Sequence, residues 1–201
     1  MHRLPALLLL LLLAACAVPG TRPTEAQLLD ALPATMGPFR RIGPVQDMEG
    51  RPGGAGQGAA MRMGFAEGGP LHVSVYLYTR GMAHPVEGEA APGLEGELDL
   101  AMEALRVFVA RGAYQVRAPL IRGTFPAEPG FGGLRCVMFR LAFPTMTTSH
   151  DAVCVTARGG RLLKIRVTDW PPPQVAEQRP QVAGQIALTL ARELWSRLPG
   201  P

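Results

Sequence analysis

Few residues in this chain are of types that do chemistry, and their spacing decides which of them can. The three serines, Ser74, Ser149 and Ser196, stand in no nucleophile motif. Ser149-His150-Asp151 has the letters of a hydrolase triad, but adjacent side chains in a loop or strand cannot form that relay, which is built from separated segments. A hydrophilic hairpin tip is the expectation there. His84, Glu87 and Glu89 lie close together, yet a zinc site wants three or four ligands at supporting spacing, and one histidine among acids reads as a solvated loop. Met61 and Met63 carry thioethers that suit Cu(I). They share a strand face with Phe65, where methionine is a routine core filler. No metal or cofactor is expected, and no paired carboxylates stand out on one element. The enzyme reading is therefore weakly supported.

The cysteines carry more information. Residues 7–18 read LLLLLLLAACAV, behind Met1-His2-Arg3. A short basic start, an apolar run of about ten residues and small residues before a cut are the parts of an export signal. The run is well short of the roughly 20 residues of a spanning helix. Leu13-Ala14-Ala15-Cys16 resembles the bacterial lipobox. That resemblance implies a lipid on the Cys16 thiol, cleavage just before it, and a mature chain held in the envelope by two or three acyl chains, enough for stable anchoring. Position 17 is Ala, not Asp, which resembles the pattern sent on to the outer membrane, facing the periplasm. The organisation expected is a signal over 1–15, a lipidated cysteine, tether and short helix over 16–32, and one domain over 33–201. Cys136 and Cys154 remain, an even pair in an exported protein, and read as a disulfide.

The elements follow from periodicity. Thr24 is placed to cap a short helix that Pro33 ends. Phe39–Met48, Ala60–Ala66 and LHVSVYLYT (71–79) read as strands. Gly50–Gly58 lacks a phosphate-loop signature and leads into a strand, so a hairpin loop is expected. Leu94–Arg111 carries a helical stripe stopped by Gly112, and residues 115–125 read as a strand interrupted by Pro119, an edge signal. Leu134–Phe143, Asp151–Ala157 and Leu162–Thr168 read as a strand meander. If Cys136 opposes Cys154, Val137 opposes Val153, which puts the disulfide across neighbouring strands on the non-core face. A three-residue loop at Arg158-Gly159-Gly160 would pair Val155 with Leu163 and keep one face apolar. A final helix, buried through Val182, Ile186, Leu190 and Leu194, runs to about Leu198.

The fold class expected is α+β, with a mainly antiparallel sheet of about six to seven strands and two main helices packed on it. Its element order loosely resembles the PsbP-like sandwich fold, with no residue motif in support and no site carried over. The net charge is +4, and 19 arginines accompany the single lysine, Lys164, scattered among acids. Without a basic run, nucleic acid is not expected as a partner. The candidate binding face is the second sheet face, with His72, Tyr76, Tyr78, Met138 and Arg140. The leading reading is a lipid-anchored envelope lipoprotein that binds a protein partner or stabilises an assembly. Two others stay open: an envelope hydrolase, and a carrier of a small ligand or metal.

Overall fold

The computed structural model describes residues 22–81, 87–113, 115–116, 121–144, 148–171 and 181–200. The lipobox and His84 lie outside them. Among the described residues, ten strands form one antiparallel sheet with three helices, two of them long. This is the α+β architecture expected from the pattern, with more strands than the six to seven anticipated. The excess comes from short pieces.

Helix α1 (Glu25–Asp30) starts at a capping box: the Gln27 N–H donates to the Thr24 hydroxyl at 3.2 Å, and the Thr24 N–H donates to Gln27 Oε1 at 2.9 Å. Strand β1 (Thr35–Met36) comes first, and β2 (Phe39–Arg41) and β3 (Gln46–Asp47) replace the single strand expected over Phe39–Met48. Pro44 falls in the gap between β2 and β3. Strands β4 (Ala59–Phe65) and β5 (Leu71–Tyr78) form a hairpin, and helix α2 (Leu94–Ala110) follows. Then come β6 (Gln115–Val116), β7 (Ile121–Phe125), β8 (Leu134–Ala142), β9 (Thr148–Arg158), β10 (Arg161–Asp169) and helix α3 (Val182–Arg197). The central order is β4-β5-β10-β9-β8, and β6 and β7 both pair with β8 as edge pieces.

The disulfide register is as expected. Cys136 pairs with Cys154 and Val137 with Val153, and an S–S bond joins the cysteines. Closing a loop over a separation of 18 residues stabilises the fold by about 3 kcal/mol in the chain-entropy account. The face is not as expected. Both sulfurs are fully buried in the larger core, beneath α3 and α1. The opposite face, under α2, forms a second core from Val137, Phe139, Leu141, Val153 and Val155 with Leu94, Leu98, Met102 and Leu105. The sheet is apolar on both sides.

That changes the β9–β10 hairpin too. Arg158 pairs with Arg161 and Val155 with Lys164, so the loop has two residues rather than three. Gly159 and Gly160 have φ of 58° and 71°, the paired positive values of a type I′ turn. Val155 and Lys164 therefore share the α2 face. Ser149, His150 and Asp151 are not a hairpin tip but buried positions of β9.

Helix α3 turns a face of small residues to the sheet, with Ala183, Gly184, Ala187 and Ala191 buried beside Leu190 and Leu194. Val182 and Ile186, expected inside, are half-buried. A Cβ on Gly184 would lie 2.4 Å from Met138 Sδ, so the missing side chain lets the helix sit close on the disulfide face. No helix among the described residues is long and apolar enough to cross a membrane.

Candidate functional site

The two faces are covered unequally. Helices α3 and α1 lie on the disulfide side, while α2 alone lies on the other. Where α2 ends its cover, the sheet face is open. Alternation along β5 turns Leu71, Val73, Val75 and Leu77 into the larger core and His72, Ser74, Tyr76 and Tyr78 toward the α2 side. Strand β10 lies in register beside it, with Lys164 opposite Tyr76, Arg166 opposite Ser74 and Thr168 opposite His72. On β9, Thr168 faces Asp151 and Arg166 faces Val153. One groove thus collects polar side chains from three strands.

At one end sits a buried charge cluster. Glu97, in the first turns of α2, is 4% exposed. It accepts hydrogen bonds from the Tyr78 hydroxyl at 2.6 Å and from Arg80 Nη2 at 3.2 Å, and it is ion-paired with Arg80 Nε. Arg80 holds this position from a left-handed backbone, with φ of 48°. Burial and then Glu97 push the Tyr78 hydroxyl far up, so it stays a neutral donor. The Lys164 ammonium lies 5.1 Å from the ring centroids of both Tyr76 and Tyr78. Burial lowers its pKa, Glu97 raises it, and Arg80 and Arg166 lower it further.

At the other end Asp151 is 1% exposed. Its Oδ1 accepts from the Thr168 hydroxyl at 2.8 Å, and its Oδ2 accepts a short bond from the Ser149 hydroxyl. Burial raises this carboxyl above the usual range; the Ser149 and Thr168 hydrogen bonds, Arg166 and His150 oppose that shift. His72 packs against Trp170 edge to face at 5.2 Å. Two cavities adjoin along the groove. One, of about 200 Å³, lies under the second half of α2. The other, of about 280 Å³, opens over His72, Ser74, Thr168 and Trp170. Tyr76 and Arg166 line both.

Of the expected binding face, His72, Tyr76 and Tyr78 come together on the α2 side. Met138 and Arg140 do not join them. Met138 belongs to the larger core, and alternation puts Arg140 on that same opposite face. Ser149 and Asp151 face the groove side with their hydroxyl–carboxylate bond, and His150 between them points to the other side, so these three form no relay. His72 contacts Trp170 and hydrogen-bonds neither Ser74 nor Asp151. Among the described residues no Ser-His-Asp relay is assembled in the groove.

The remaining candidates resolve individually. Met61 and Met63 are buried in the larger core. Glu87 is paired with Arg158, and Glu89 Oε1 accepts from the Ala127 N–H at 3.4 Å. The glycine-rich loop does gather N–H donors, but Glu49 occupies them, accepting from Gly56 at 3.0 Å and Gly58 at 2.8 Å. No protein-family model matches the chain, and no curated protein matches it.

Lys164, Arg166, Asp151 and Trp170 are the groove residues that sequence reasoning did not place. Lys164 was visible as the one lysine among arginines. The alternation K-I-R in β10 also marks a strand with cations on one side.

Proposed function

We propose that this chain is a lipoprotein of the bacterial cell envelope, anchored through acyl chains on Cys16 and sorted to the outer membrane facing the periplasm, whose α+β domain is a non-enzymatic binding module. The anchor rests on the resemblance of Leu13-Ala14-Ala15-Cys16 to a lipobox. The disulfide between the other two cysteines fits an oxidising compartment outside the cytoplasm. The binding reading is carried by one observation: a sheet face left open beside α2, with Tyr76, Arg166 and Trp170 at its surface and Lys164 beneath. Half-buried aromatics such as Tyr76 and Trp170 beside an exposed arginine, in a concave setting, are what recognition surfaces use. The cavities are compact, which favours a small ligand over the flat contact of an assembly partner.

One experiment reads both halves. The full chain carries a photocrosslinking amino acid in place of Tyr76, or separately of Arg140, in cells fed labelled palmitate. Label on the chain, absent from Cys16→Ala, is expected, together with a mass adduct at position 76 and none at 140. An unlabelled wild type would overturn the anchor, and no adduct at 76 would overturn the binding face.

A further inference from the structure

Two observations about the groove point the same way. The first concerns charge. Among the described residues, no carboxylate lies within ion-pair distance of Lys164 or Arg166. They stand two residues apart on β10 and face the same side. Their acidic neighbours act on them only at a distance: Glu97 is bonded to Arg80 and Tyr78, and Asp151 to Ser149 and Thr168. Burial further disfavours charge on Asp151. A half-buried ammonium and an exposed guanidinium that line one concavity without an ion pair are matched by an incoming anion, whose charge-assisted contacts are the strong ones.

The second concerns shape. The lobe under α2 exists because the helix presents Ala101 and Ala104 there, between Leu105 and Phe108. Its floor is Phe139 and Val153, so apart from Tyr76 and the two cations its walls are hydrocarbon. Phe108 stands at its mouth, 45% exposed. The neighbouring lobe is mixed, with His72, Ser74, Thr168 and the Asp151 carboxyl set among Leu141, Phe143 and Trp170. Arg166 and Tyr76 sit where the lobes meet. Together the lobes fall in the roughly 300–1,000 Å³ range of small-ligand clefts.

We infer that the groove binds a single-chain amphiphile with an anionic head, a carboxylate or phosphate, its apolar chain lying under α2 and its head between Arg166 and Lys164. This rests on the binding-module reading and names the ligand class for that same groove. The head takes the two cations with the Ser74 hydroxyl in reach. The chain lies against Ala101 and Ala104, supplying the hydrocarbon that α2 leaves out there. A cationic or neutral amphiphile would satisfy the walls and leave both cations unmatched.

The test uses the full chain in phosphatidylcholine nanodiscs, with tryptophan emission reporting on Trp170. It is titrated with decanoate, decyl phosphate, decanol and decyltrimethylammonium. A saturable change is expected with decanoate or decyl phosphate, the tighter of the two identifying the head. Decanol and the cation are expected to bind at least tenfold more weakly. Lys164→Gln with Arg166→Gln should weaken the anion by about tenfold or more, and Ala104→Phe, which fills the apolar lobe, should abolish the change while circular dichroism stays native. Equal response to decanol and decanoate, or an anion response unchanged in both variants, would overturn the inference. No response to any amphiphile, alongside an adduct at position 76 in cells, would overturn this ligand class and leave the binding reading standing.

Discussion

Asp151 shows what the groove costs. Its carboxyl is buried, raised by that burial, and steadied by two hydroxyls instead of a cation in contact. A carboxyl with a folded pKa above its unfolded value binds its proton more tightly in the native state. The stability this contributes is full below the ordinary carboxylate range and is lost as pH rises through the raised value. Asp169, also raised by burial with His150 opposing, has the same sign. Urea denaturation across pH is therefore expected to show stability falling as pH climbs out of the carboxylate range. Asp151→Asn should flatten that fall, with Asp169 supplying the remainder; an unchanged slope would mean that burial does not hold the Asp151 proton. None of this was legible in the letters Ser-His-Asp. They suggested a triad to be dismissed, and the alternation of β9 instead joins Ser149 to Asp151 and turns His150 away.

Among the elements, the β9–β10 hairpin separates what could be read from what could not. The β8–β9 register was legible because Cys136/Cys154 and Val137/Val153 demanded the same alignment. The next hairpin was misjudged because keeping one face apolar only discriminates when the other face is wet. Here both faces are buried, so pairing Val155 with Lys164 is permitted, and the glycine pair selects the two-residue turn. The same logic replaced Val182 and Ile186 on the buried face of α3 by Ala183, Gly184 and Ala187, which allow a closer approach, while Leu190 and Leu194 are buried as expected. The turn gives a direct check. Gly159 has φ of 58°, and a Cβ there would lie 2.4 Å from the Pro199 carbonyl oxygen. Gly159→Ala is expected to lower stability by about 1–3 kcal/mol, read from the denaturation midpoint. An unchanged midpoint would show that the C-terminal residues yield freely.

For the whole molecule, the account divides the sheet by side. The disulfide face, under α1 and α3, holds the domain together. The α2 face is half core and half groove, and its open half carries Lys164 and Arg166 without an ion pair. Residues kept for the fold are destabilising to remove. Residues kept for a ligand are not, and a half-buried ammonium without an ion pair, as Lys164 is, costs stability by being there. The most direct measurement is equilibrium denaturation of the full chain with Lys164→Met and Arg166→Gln together. The stacking of Lys164 on Tyr76 and Tyr78 is worth about 0.5–2 kcal/mol, offset by relief of its desolvation. The double variant is expected to match the wild type within about 1 kcal/mol or exceed it. A loss of more than about 2 kcal/mol would make these cations part of the fold and contradict a groove kept for binding.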